Sequence, residues 1–214
     1  MKSKIVILFL SFTLWTVTGW AAFLTYRIHV LESASPVERV IERVIYTPAA
    51  PESEIKKKDD TLLESAANII KNFEACKLCA YVDPRTGGLP ITIGYGSTRK
   101  LDGSTFKLGD KITKSEAEEL LITQLRKQYI PRIARVPFWN EMPQNKKVAL
   151  ISFGYNLGKD FYGHEKFKTI TKQLAAKEWK KIPETLRLYS NPGSRVHDGL
   201  LARRIREGKL FAGN

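Results

Sequence analysis

Cysteine is nearly absent from this chain: its 214 residues hold two, Cys76 and Cys79, and only three histidines. Two thiols are too few for a disulfide framework, and His164 and His197 lie far downstream without zinc-ligand spacing. No metal and no other cofactor is expected. A Cys-x-x-Cys pair suits redox chemistry where it opens a helix, because the dipole lowers the thiol pKa, but this pair follows the end of one. Incidental thiols or a local disulfide are the readings that remain. Negative charge is also scarce, with 22 Asp and Glu against 35 Lys and Arg, a formal net charge of +13. From residue 61 onward 27 basic side chains face 15 acidic ones, so the excess belongs to the downstream part. A polyanionic partner follows, and nucleic acid, an anionic membrane and the anionic bacterial cell wall all fit, as does a basic surface kept for solubility. The length leaves room for one domain with a real core and accessory segments, not for two large domains.

Long apolar runs are confined to one place. After Lys2 and Lys4, the 22 residues from Ile5 to Tyr26 are uncharged and rich in Ile, Leu, Val, Phe and Trp. That is long enough to span a bilayer, and the basic flank favours an orientation that sends everything after Arg27 across the membrane. A cleaved signal peptide is the rival reading, with Ile5 to Val17 as its apolar region and Gly19-Trp20-Ala21 as its cleavage site. Thr13, Thr16, Thr18, Gly19 and Thr25 dilute the run, which leaves a third reading, a helix that enters the bilayer and later escapes. Residues 1–30 are thus a signal anchor or signal peptide, and the rest is expected outside the cytoplasm. Residues 31–60 read as a linker or stalk: Glu-Arg-Val-Ile occurs twice in tandem from Glu38, followed by Pro48, Pro51 and a Lys56-to-Asp60 charge run.

Residues 61–214 read as the folded domain. Thr61 and Glu64 form a capping-box pattern, and Leu62, Leu63, Ala66, Ile69, Ile70 and Phe73 recur at helical spacing. Leu78 to Val82 and Ile91 to Tyr95 read as strands, with a third near Phe106 after a turn at Asp102-Gly103. Thr113 and Glu116 cap an amphipathic helix through about Gln128. Further helices are expected over Gln144–Asn156, Phe167–Ala176, Trp179–Leu186 and Leu200–Glu207, with breaks at prolines including Pro131 and Pro183. The fold class is α+β, a small antiparallel sheet followed by a mainly helical lobe.

The stretch Phe73 to Gly96 carries the chemistry. Hydrolysis of a glycosidic bond needs a protonated acid beside a charged carboxylate, because the leaving alkoxide is poor and the oxocarbenium ion unstable. Glu74 falls at the C-terminal end of a helix near Ile70 and Phe73, surroundings that disfavour the charged form and suit an acid. Asp83 precedes Pro84 in a turn, a wetter setting that suits a general base or stabilising carboxylate. Each residue also has a plain reading: a solvated helix end for Glu74, a turn former for Asp83, and β-propensity for Thr92.

The combination is more specific. Phe73-Glu74-x-Cys76-x-Leu78-x-Ala80-Tyr81-x-Asp83, then Gly87-Gly88 and Thr92-Ile93-Gly94-Tyr95-Gly96, resembles the signature of the phage-type lysozymes, glycoside hydrolase family 24. Gln144 through Asn156-x-Gly158 is similar to that family's central core helix, and Gly199-Leu200-Leu201-x-Arg203-Arg204-x-x-Glu207 to its C-terminal helix. The resemblance covers residues 61 to 211 or so. It implies a lysozyme-like fold and a peptidoglycan muramidase that cleaves the β-1,4 bond between N-acetylmuramic acid and N-acetylglucosamine, acting in phage-type host lysis. It further implies Glu74 as proton donor, Asp83 as the carboxylate that activates water or stabilises the cation, and Thr92 as the hydroxyl that positions that water. Arg203 or Arg204 would pair with Glu74, and Tyr81, Tyr95 and Asn156 would support the substrate. The chain departs from the family pattern in the inserted turn from Pro84 to Pro90, in Ser97 where His is frequent, and in Ala75 where Gly is usual. The expected partners are peptidoglycan and, through the N-terminal segment, the inner membrane; the chain is read as a monomer. A nucleic-acid binder fits the charge but needs neither an export signal nor paired carboxylates. The alternative class is a non-catalytic, membrane-tethered wall-binding or assembly protein, against which intact Glu74, Asp83 and Thr92 argue.

Overall fold

The computed structural model describes residues 52–84 and 87–213. The expected membrane segment and most of the expected linker lie outside the described residues; among those described, no helix is long and apolar enough to cross a membrane.

The first helix, α1 (Glu52–Lys71), begins upstream of the expected start and takes in the charge run that reads as linker. That run contains no helix breaker, and its Asp60 pairs with Arg126 at 2.9 Å. Thr61 therefore lies inside the helix, where its hydroxyl donates to the Lys57 carbonyl at 2.7 Å instead of capping a terminus. The apolar stripe behaves as its spacing predicts: Leu62, Leu63, Ala66, Ile69 and Ile70 are all buried.

Two antiparallel strands follow, β1 (Lys77–Val82) and β2 (Ile91–Gly94), with Tyr81 opposite Thr92 and Val82 opposite Ile91. The expected third strand is not formed; the chain beyond β2 makes only isolated pairings, Arg99 with Thr105 and Cys79 with Lys111. Left-handed Gly103 turns the chain as a hairpin bend does, but the pairing across it stops at Arg99–Thr105 before Phe106. Phe106 instead closes a small core with Ile91, Ile93 and Leu120.

The rest of the domain is helical. Thr113 and Glu116 form the expected capping box at the start of α2 (Lys114–Gln124), with the Glu116 amide donating to Thr113 Oγ1 and the Thr113 amide to the Glu116 carboxylate. The expected break at Pro131 does not occur. A wide π-turn (Leu125–Tyr129) runs straight into α3 (Ile130–Ile133), and Pro131 sits in the first turn, where its missing N–H costs little. Pro183 is accommodated in the same way at the start of a later helix that begins at Ile182.

Helix α4 (Gln144–Leu157) is the centre of the core, with Val148 through Gly154 all buried. A Cβ on Gly154 would stand 2.6 Å from Ile133 Cδ1, so glycine permits the close approach of α3. Beside Gly154, the Phe153 ring meets Phe161, Phe167 and Tyr189 edge-on at 5.0, 5.8 and 5.3 Å. Helices α5 (Lys168–Ala175), α6 (Ile182–Arg187) and α7 (His197–Ala212) complete the domain, α7 extending past its expected limits at both ends.

Candidate active site

Glu74 stands immediately beyond α1. The amides of Phe73 and Glu74 both donate to the Ile70 carbonyl, at 2.9 and 3.0 Å, which closes the helix and swings the carboxyl off its end. Strand alternation places the next two groups, because Tyr81 and Asp83 are two residues apart and Thr92 lies directly across from Tyr81. Ile91 and Ile93 point the other way, into the small core. Beyond β1, the Gly87 amide donates to the Asp83 carbonyl at 2.9 Å, and Gly87 takes φ +66°, a conformation glycine adopts without strain.

These residues meet in one cavity of about 390 Å³. Glu74, Asp83, Thr92, Tyr81, Tyr95 and Asn156, all expected at the site, line it. Tyr129, Tyr155, Gly96 and Thr98 line it too. Thr92 is buried, its hydroxyl 3.4 Å from the Pro90 carbonyl to which it donates. The Asn156 side-chain oxygen is buried without a partner among the described residues. A cavity of similar size, about 420 Å³, is lined by Lys100, Asp102, Asp110 and Glu116. Its acids are already committed: Asp110 pairs with Lys100 at 3.0 Å, Glu116 serves the cap, and Asp102 accepts from the Ser104 amide. It offers no comparable pair of carboxylates for chemistry.

Behind Glu74 lies a buried charge network. Arg203 Nη1 donates to Glu74 Oε1 at 2.6 Å, Nε to Glu207 Oε1 at 3.2 Å, and Nη2 to the Ser152 carbonyl at 3.2 Å. Of the two expected arginines, then, Arg203 reaches Glu74, while Arg204 turns to Glu207, with Nε 2.8 Å from Oε2, and stacks over Phe153. Ser152 Oγ donates to Glu207 Oε1 at 2.7 Å. Burial lowers the Arg204 guanidinium to about 10, opposed by Glu207. Burial raises the Glu207 carboxyl, and Arg204, Ser152 and Arg203 pull the other way.

Aromatic residues join the two sides of the cavity. The Tyr155 hydroxyl, on α4, donates to the Tyr95 carbonyl beyond β2 at 2.7 Å, and the Tyr129 ring lies 4.8 Å from that of Tyr155. Burial raises both phenols, with the nearby Glu74 carboxyl adding to the effect, so both remain neutral donors. Tyr155 stands inside the core-helix motif but was not expected at the site; Tyr129 carries no local signal, because only the π-turn brings it to the cavity.

Two of the family departures are absorbed locally, while the inserted turn holds residues 85 and 86, outside the described residues. Among the described residues the left-handed non-glycines are Phe138, Lys177 and Asn191, so Ala75 needs no glycine-like conformation. Ser97 is buried and donates to Gln124 Oε1 at 3.3 Å. Cys76 and Cys79 are both free thiols, not a disulfide.

A family model described as phage lysozyme matches residues 71–207, a span that holds the whole constellation from Glu74 to Glu207. The endolysin of Salmonella phage P22 is 35% identical over 144 residues, covering 66% of this chain and 91% of that protein. The endolysin of Bacillus phage B103 is 29% identical over 150 residues, 69% of this chain and 52% of its own length. Among solved structures, a P22 lysozyme mutant superposes with a TM-score of 0.54 at 32% identity, covering 69% of this chain and 94% of that one. The endolysin from Escherichia coli O157:H7 phage FAHEc1 gives 0.53 at 28% identity, with 69% and 90% covered.

Proposed function

The chain belongs to the phage lysozyme family, glycoside hydrolases that degrade peptidoglycan, and from that premise we propose a division of labour among three side chains. Glu74 donates a proton to the glycosidic oxygen between N-acetylmuramic acid and N-acetylglucosamine. Asp83 activates the attacking water or steadies the developing cation. Thr92, across the strand pair from Tyr81, offers its hydroxyl oxygen to position that water.

The observation that carries this reading is the single cavity in which Glu74 arrives from a helix end while Asp83 and Thr92 arrive from a hairpin. The acid and the second carboxylate therefore come from different elements with different surroundings, as two roles require. Tyr81, Tyr95, Tyr129 and Tyr155 supply apolar faces for sugar rings, and Asn156 presents an amide to their N-acetyl or hydroxyl groups. The basic balance of the chain suits the acidic stem peptides and polymers of the wall. The apolar run from Ile5 to Tyr26 supports export, as anchor or signal, with the catalytic domain outside the cytoplasm and host lysis as its setting.

Mass spectrometry of fragments released from purified peptidoglycan, with and without borohydride reduction, tests the bond assignment. The expected products carry reducible N-acetylmuramic acid ends. Reducible N-acetylglucosamine ends, anhydro ends or no release at all would each overturn it.

A further inference from the structure

A carboxyl group beside a guanidinium favours its charged form, which is the wrong form for a proton donor. Arg203 does not belong to Glu74 alone, however. Its Nε reaches Glu207 at 3.2 Å, and Glu207 is fully buried on the same helix. We propose that Glu207 is a positioning residue for the reaction, its buried carboxylate sharing the charge of Arg203 so that Glu74 can hold its proton at the pH of wall cleavage. This inference rests on the reading of Glu74 as the acid.

The groups that face this point from each packed element define the charge balance. Helix α7 contributes Arg203, Arg204 and Glu207; α4 contributes the Ser152 hydroxyl and carbonyl, Tyr155 and Asn156. The π-turn contributes Tyr129, β1 with its following turn contributes Tyr81 and Asp83, and the end of α1 contributes the Phe73 ring, 5.3 Å from Arg203. Tyr129 and Tyr155 stay neutral, which leaves two guanidiniums behind Glu74 with Glu207, among the described residues, as the buried anion between them. When Glu74 is protonated, Glu207 limits the buried excess to a single positive charge. Without Glu207 the excess would double, and the proton on Glu74 would be lost more easily.

A purely structural ion pair would need one arginine. Here Arg204 also meets Glu207, through Nη2 at 3.0 Å and Nε at 2.8 Å, and it is as buried as its partner. Arg204 thus competes with Arg203 for the same carboxylate, so removing Arg204 and removing the Glu207 charge should act on Glu74 in opposite directions. Ser152 Oγ, donating at 2.7 Å, holds Glu207 Oε1 in place for both.

The test is the pH profile of wall clearing by the full chain and by Glu207→Gln, Arg204→Met and the double variant, each checked for folding by circular dichroism. Glutamine keeps the shape and an acceptor for Ser152 while removing the charge. Its alkaline limb should move to lower pH by about one unit, roughly a tenfold loss of rate above the limb. Arg204→Met should move the limb upward, and the double variant should return it toward the wild-type position. Limbs that stay in place while rates change would make the network merely structural and overturn the proposal. If Glu207→Gln fails to fold, Arg204→Met and the double variant carry the same test. Titration of the Glu74 carboxyl by carbon NMR in the resting protein reads the coupling without turnover. A protein in which that titration shifts but walls are not cleaved would overturn the functional reading and leave the coupling standing, whereas wall cleavage with an unshifted titration would do the reverse.

Discussion

On the helical side of the cavity Glu74 is gripped by Arg203, whose other partners Glu207 and Ser152 are fully buried. On the hairpin side Asp83 follows a two-stranded sheet, in a turn that leads to Leu89, 82% exposed. The helical side draws on the main core, since Arg204 of the same network stacks on Phe153 and Phe153 meets three more rings. The hairpin side rests on a small core of four buried residues, Ile91, Ile93, Phe106 and Leu120. The Glu74 carboxylate is thus held by long-range packing, whereas Asp83 sits in the turn that follows β1. The contrast suits the proposed role of Glu74, because a proton donor must keep its place and its charge state through small changes in electrostatics.

The sharpest way to break this contrast is at the acid itself. Glu74→Gln should lower the rate of wall clearing by about 10²–10⁴-fold with an unchanged circular dichroism spectrum, since one positioned acid contributes on that order. Clearing at the wild-type rate would remove Glu74 from the chemistry. The next effect tests whether the helical side depends on the main core: Phe153→Ala should cost about 3–5 kcal/mol of stability, read from the denaturant midpoint. The smallest tests the joint between the two sides. Tyr155→Phe removes the hydrogen bond to the Tyr95 carbonyl and should cost about 1 kcal/mol, with a larger fractional loss of wall clearing than of stability if that joint positions β2 and Thr92. Equal retention of both would show that the hairpin holds its place without it.

Local features of the chain were legible because they depend on near neighbours. The Thr113–Glu116 capping box, the helix of Gln144–Asn156 and the strands at Leu78–Val82 and Ile91–Tyr95 all follow from spacing within a few residues. The misses share a cause. The charge run at Lys56–Asp60 joins a helix whose buried stripe and Arg126 contact support it from outside. Phe106 has strand propensity but is claimed by the small core beyond the Arg99–Thr105 pairing. Pro131 signals a stop that the preceding π-turn makes unnecessary.

By itself, the sequence determined the basic balance and the α+β order, because residue type and short-range periodicity suffice for those, while its resemblance to the phage-type lysozymes singled out the two carboxylates and the hydroxyl that accompanies them. Only the tertiary structure decided that Arg203 and not Arg204 meets Glu74, that Tyr129 and Tyr155 line the cavity, and that Glu207 closes a buried charge network behind the acid. Those contacts join residues far apart in the chain, and which side chains meet is set by helix packing and by the need to pair every charge removed from water.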